Sequence, residues 1–212
     1  MDPDLRPIAS TGPAPCPRAR RGVCRVALLV VAAVTLTGCG SGEPARNPAG
    51  PAAADAAAAG ANPVDVMFLQ MMLPHHAQGL AIVRLAGNRP IRGAVRDLAT
   101  AIEATQTTES TTMAAWLNAW HQLSTVPDSA HAAHGGAVGT SEAEINRLAM
   151  TPDTTFERDF LNLLLAHQDD AVQIARMETR TGIHPDAKNL ADRIDRSRSA
   201  QIKLILGYLG QS

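Results

Sequence analysis

The sequence predicts an all-α protein, a four-helix bundle made of two duplicated helix hairpins. Three observations predict it. Aromatic residues make up only 3% of the 212 residues, and sheets usually draw on aromatic and β-branched side chains. Two long stretches after residue 62 carry apolar residues at helical spacing, and the second has no proline or glycine between Gly93 and Leu123. Finally, the chain repeats itself at a constant offset of 92: Phe68 matches Phe160, Leu69 matches Leu161, His75 matches His167 and Arg84 matches Arg176. Leu98-Ala99 matches Leu190-Ala191, Ile102 matches Ile194, and Trp116-Leu117 matches Tyr208-Leu209. A gapless repeat of this length implies two copies of one helical hairpin. An amphipathic hairpin cannot bury its apolar face alone, so the two copies are expected to pack together.

Each element has its own signals. Asn62 and Pro63 suit the cap and first turn of a helix expected over 64–86. Asn88–Pro90 forms a link, and a second helix follows over about 91–123. Residues 124–140, rich in small and turn-forming residues, open the crossover. Ser141 with Glu144 has capping-box spacing and predicts a short helix over 142–150. Thr151-Pro152 opens the second hairpin, Gly182 ends its first helix and Pro185 starts its last. The hairpins are placed at about 64–123 and 156–210, with the crossover at 124–151.

The N-terminal part reads as a targeting segment. Residues 18–25 are basic (RARRGVCR), residues 26–37 are apolar (VALLVVAAVTLT), and residues 36–39 read LTGC. That order is the secretory signal pattern, and the apolar run is shorter than the about 20 residues a membrane span needs. LTGC resembles the bacterial lipobox, in which the cysteine thiol takes a diacylglycerol and becomes the new N-terminus. Residues 1–38 are therefore expected to be a lipoprotein signal peptide, with Cys39 as the lipidation site and membrane anchor. Residues 39–61 are dominated by Gly, Pro and Ala and read as a flexible tether. The expected location is the cell membrane, facing outward from the cytoplasm. The three cysteines all lie at or before position 39, so the bundle carries no thiol chemistry.

Composition narrows the function. With 19 Lys+Arg against 20 Asp+Glu, the near-neutral charge gives no electrostatic reason to expect a nucleic-acid partner. No Glu-x-x-His pair, His-Glu-x-x-His, Gly-x-Ser-x-Gly, phosphate-binding loop or dinucleotide fingerprint occurs. A binding protein fits better than an enzyme.

The unusual text is VMFLQMMLPHHAQGLAIV, residues 66–83. At 100° per residue, Met67, Met71 and His75 share one stripe, and Met72 and His76 form a neighbouring stripe, with His76 at the edge of the inward arc. Pro74 is expected to kink the helix or free the carbonyl of Gln70. Thioethers with neutral imidazoles form a soft ligand set that favours copper, Cu(I) above all, over calcium or magnesium. Equally, methionines fill core gaps and His75 could be a satisfied core histidine. Met113 on the second helix and His167, the repeat mate of His75, are further candidate ligands. Glu103 and Glu109 read as solvated or capping side chains. His131 and His134, beside Gly135-Gly136, could form a weak exposed metal site or simply a polar loop.

These residues carry a family resemblance. Asp65 to Phe68, Gln70-Met71-Met72, Pro74-His75-His76, then Ile102, Gln106, Glu109, Met113 and Trp116-Leu117 resemble the DUF305 family over residues 62–210. The resemblance implies an exported, ferritin-like four-helix bundle, and for some members copper binding or copper resistance. Met67, Met71, Met72, His75, His76, Gln106, Glu109 and Met113 match the family motif. In the second half His167 is kept, but Gln168 stands at the second histidine position and Leu163 and Leu164 at the methionine positions. The closing Gln, Glu, Met pattern becomes Arg198, Gln201, Ile205. The implied function is a lipid-anchored, non-catalytic copper-binding protein with one site in its first half. The alternative is a structural envelope lipoprotein that binds a protein partner.

Overall fold

The computed structural model describes residues 55–57, 59–124 and 139–211. The signal-like segment, Cys39, most of the expected tether, and His131 and His134 lie outside the described residues. Among the described residues, after a short helical stretch at 55–57, five helices follow in order: α1 (Pro63–Leu85), α2 (Gly93–Ala119), α3 (Glu142–Ala149), α4 (Asp153–Thr181) and α5 (Pro185–Leu209). Among the described residues there is no strand, and no helix long and apolar enough to cross a membrane.

The caps explain the boundaries. The Asn62 side chain accepts hydrogen bonds from the backbone N–H groups of Val64 and Asp65, and the Asp65 carboxylate accepts from the Asn62 N–H at 2.5 Å. The same reciprocal arrangement at Ser141 and Glu144 opens α3. α2 starts at Gly93 and ends at Ala119, short of the expected 91–123 at both ends. α1 runs without a break through Pro74, whose side chain faces solvent. The end of the expected tether is also part of the packed body, since Ala56 and Ala61 are buried against the core.

The four long helices form the bundle. α1 packs on α2, α4 on α5, and α1 on α4, while α3 lies against α1 and α4. The repeat is visible as repeated contacts. Arg84 pairs with Glu103 at 2.8 Å, and their mates Arg176 and Asp195 pair at 3.0 Å. His76 bonds Glu109 at 2.7 Å, and their mates Gln168 and Gln201 bond at 2.7 Å. The hairpins are thus related by a pseudo-two-fold axis, and His75 and His167 meet each other where repeat mates should meet, with ring centroids 3.9 Å apart and planes 13° from parallel.

The core falls into two apolar halves separated by a polar layer. One half holds Met71, Met72, Met113 and Leu117, with Met67, Trp116 and Met177 packed on it. The other is built from aliphatic and phenylalanine side chains, among them Ile82, Ile102, Phe156, Phe160 and Leu164. Between them, every long helix contributes buried or half-buried polar groups: His75 and His76 from α1, Gln106 and Glu109 from α2, His167 and Gln168 from α4, Arg198 and Gln201 from α5.

At the methionine end, Asp65 ties the hairpins together. One of its oxygens accepts from the backbone N–H groups of Ile183 and His184 in the α4–α5 turn, at 3.0 and 2.9 Å. Glu178 is buried beside it, in space that Gly182 leaves by having no side chain. Burial, and then the neighbouring Asp65 carboxylate, push Glu178 up to about 8. Because the folded state holds this proton more tightly than the unfolded chain, the stabilisation is fully present below the ordinary glutamate range. It is lost as pH rises towards about 8. Thermal unfolding of wild type and Glu178→Gln should therefore diverge between pH 5 and 8.5. The variant, which cannot ionise, should gain on the wild type as pH rises. Equal slopes for the two proteins would show that Glu178 is not protonated in the fold.

Candidate metal centre

The candidate ligands reach the core because α1 is packed on both α2 and α4. A helix covered on two sides buries more than one stripe. His76, expected at the edge of the buried arc, is therefore as fully enclosed as Met72. Met71 lies one turn before His75, and Met72 one turn before His76, so each imidazole has a thioether neighbour on its own helix. Met113 of α2 is fully buried in the same apolar half. Met67 is partly buried there. His167 is in the polar layer, stacked on His75. Met177, ten residues beyond His167, packs on the methionine half as well.

Each first-half histidine is held by one nitrogen and leaves the other bare. His75 donates from Nε2 to the backbone carbonyl oxygen of His167 at 3.1 Å. A carbonyl can only accept, so this nitrogen carries the proton and Nδ1 has the lone pair. His76 donates from Nε2 to Glu109 Oε2 at 2.7 Å. Both Nδ1 atoms are buried and without a hydrogen-bond partner. His167 has Thr140 Oγ1 3.1 Å from Nδ1, and its Nε2 is likewise buried and unpaired.

All three rings are neutral. Burial holds His75 well below the ordinary histidine range, and His167, His76 and Arg198 add to the effect. Burial lowers His76 too, against the opposing pull of its hydrogen bond to Glu109. Burial, then His76 and Arg198, lower His167 to about 3. Neutral imidazole is the form that binds metal.

Two residues that sequence reasoning placed at the surface or passed over complete the layer. Burial pushes Glu109 up, but the hydrogen bond from His76 and the charge of Arg198 outweigh it and keep the carboxyl ionised. Its Oε2 also accepts from Arg198 Nη2 at 2.5 Å. Arg198 is fully enclosed, a rare place for a guanidinium, and its Nε has no partner. Gln106, its repeat mate, is fully buried with both amide atoms unpaired. Gly79 makes the room: a Cβ there would overlap Gln106 Oε1 and stand 2.7 Å from His167 Nε2. The family motif did include Gln106 and Glu109. The signal for Arg198 was the repeat itself, which puts a cation where the first copy has Gln106.

So many unpaired polar atoms in one layer are costly, about 1–3 kcal/mol for each buried group left unsatisfied. Natural cores avoid this unless something else fills the vacancies in hydrogen bonding. The donor set suits a soft cation: two imidazole nitrogens with lone pairs, each fixed through its other nitrogen as metal-bound histidines are, beside thioethers. Among the described residues no three His, Cys, Asp or Glu side chains converge as a ligand group, so the thioethers are the donors to add.

The chain matches a family model described as a domain of unknown function, DUF305, over residues 65–209. It belongs to the DUF305 family. Among solved structures, a DUF305 fragment from Deinococcus radiodurans is 31% identical with a TM-score of 0.63, covering 72% of this chain and 99% of that one. CopM in its Cu(II)-bound form is 28% identical with a TM-score of 0.58, covering 69% of this chain and 96% of that one. A DUF305 protein from Streptomyces coelicolor shares the fold, with a TM-score of 0.65 at 24% identity over 70% of this chain and 93% of that one. CopM has also been crystallised with Cu(I), with Ag and without metal. Comparison with curated proteins returns no match.

Proposed function

We propose that this DUF305 protein is an extracytoplasmic, membrane-tethered binder of a soft metal ion, copper first, which it holds without turnover. The observation that carries the reading is the pair of buried neutral imidazoles, His75 and His76, each pinned at Nε2 with Nδ1 bare, one turn from Met71 and Met72. Met71, Met72, His75 and His76, with Met113 packed in the same half, are the residues that would hold the ion. Bound copper would supply the missing partner for the orphaned nitrogens. Met67 is half-buried at the outer end of the stripe, and His167 is stacked on the His75 ring. Both are outer members of the set. The CopM structures support the choice of metal, because that relative takes up both copper and silver in crystals.

Only the first half is equipped for this. The pseudo-two-fold turns Met71, Met72, His76, Glu109 and Met113 into Leu163, Leu164, Gln168, Gln201 and Ile205. The expected stoichiometry is one ion per chain. The competing role is a packed structural module for an envelope partner, and it rests on Met72 and Met113 having no exposure at all. Anaerobic Cu(I) titration of the purified protein against a chromogenic chelator separates the two. We expect near-equimolar uptake by the wild type, and loss of at least tenfold in affinity in Met71→Leu/His75→Leu with helical content retained. Chelator keeping all the copper against wild type would leave the structural role.

The membrane tether rests on the lipobox-like LTGC at 36–39. Fractionation of cells expressing the full chain tests it. Wild type should sediment with membranes and incorporate labelled fatty acid, and Cys39→Ala should do neither. A wild type found free of lipid would remove the anchor from the account.

A further inference from the structure

The polar layer contains one permanent positive charge. Arg198 is fully buried and bonds Glu109 Oε2, the same oxygen that accepts from His76 Nε2. Glu109 is therefore not free to neutralise an arriving cation, because a resident guanidinium already neutralises it. The first copy has no such residue, since Gln106 at the equivalent position is uncharged. The mate of the Arg198–Glu109 bond would join Gln106 to Gln201, and Gln106 has no hydrogen-bond partner there, so the equivalent position of the first copy is filled without a charge.

We propose that Arg198 acts as a charge filter, setting the His and Met site to accept singly charged soft cations and to disfavour doubly charged ones. The inference rests on the binding reading above and deepens it. Its physical basis is Coulombic. With Glu109 and Arg198 cancelling, a monovalent ion leaves one net positive charge in the layer and a divalent ion leaves two. Repulsion from Arg198 scales with the charge of the ion. At an effective dielectric near 20 and a separation of about ten ångströms, one unit of charge is worth on the order of tenfold in affinity. Removing the guanidinium should thus tighten a monovalent ion by one such factor and a divalent ion by the square of it. The change in selectivity is the diagnostic quantity. A residue that merely supports the packing would weaken both ions by the same factor. Any rise in proton competition at His76 would also fall on both ions equally and cancel in the ratio.

The test compares Cu(I) and Cu(II) dissociation constants, from chelator competition, for the wild-type chain, Arg198→Gln and Arg198→Lys. Arg198→Gln installs the residue that the repeat mate carries, and Arg198→Lys keeps the charge. The preference for Cu(I) over Cu(II) should fall by roughly tenfold in Arg198→Gln and stay within about threefold of wild type in Arg198→Lys. Circular dichroism checks that each variant is folded, and Arg198→Met, similar in volume and uncharged, replaces the glutamine variant if that does not fold. Intact binding with an unchanged ratio in the uncharged variant overturns the filter alone. A wild type that takes up no copper overturns the binding reading, and the filter with it.

Discussion

A buried polar layer across the middle of the bundle is the constraint on which the rest depends. Four helices must each place a polar side chain at the same level, and the core on either side must stay apolar. This costs stability, because buried polar groups are favourable only when satisfied. The layer is only partly satisfied. Its bonded groups form a chain from Thr140 through His167 and His75, and from His76 through Glu109 to Arg198. The unpaired atoms point to a role that packing alone does not explain. Glu109 is the joint, since it holds α1 through His76 and α5 through Arg198, closing a ring of helices whose other edges are closed by direct packing.

Duplication supplies the geometry and divergence supplies the function. The pseudo-two-fold exchanges the two ends of the bundle, so that Phe68, Leu69, Met72 and Met113 of the methionine half have counterparts in Phe160, Leu161, Leu164 and Ile205 of the leucine and phenylalanine half. Where the first copy bonds imidazole to carboxylate, the second bonds amide to amide at the same spacing. The first arrangement fixes a tautomer and leaves a lone pair for a metal. The second keeps the hydrogen bond but offers no comparable ligand. On the proposed reading, one symmetric scaffold carries one half equipped with soft donors and one half without comparable ligands, and the stacked His75 and His167 mark the boundary.

Much of this was legible in the sequence. The offset of 92 gave the hairpins, and Asn62, Ser141 and Pro185 gave helix starts, because capping chemistry is local and needs no knowledge of the partner helix. The boundaries that moved were those set by tertiary contact. Trp120 and Leu123, beyond the end of α2, read as helical by pattern, and Ala56 and Ala61 read as tether, although both alanines pack on the core. The inward stripe of Met71 and His75 was visible from periodicity. The burial of His76 was not, because the width of a buried arc depends on how many helices cover it. Glu109 looked like a surface residue, since its role depends on His76 and Arg198 arriving from helices 33 and 89 residues away. Arg198 broke the family pattern in the sequence, and only the structure shows that the break puts a charge inside the core.

The account stands on His75 and His76 being neutral, protonated at Nε2 and bare at Nδ1 before any metal arrives. Long-range proton–nitrogen NMR of the metal-free protein, labelled at histidine, reads this directly. Both rings should show a protonated Nε2 and an unprotonated Nδ1 at pH 7, and each should become charged only at a lower pH than an ordinary histidine. A charged His76 at pH 7, or a His75 protonated at Nδ1, would contradict the account, because the nitrogen assigned to the metal would already carry a proton.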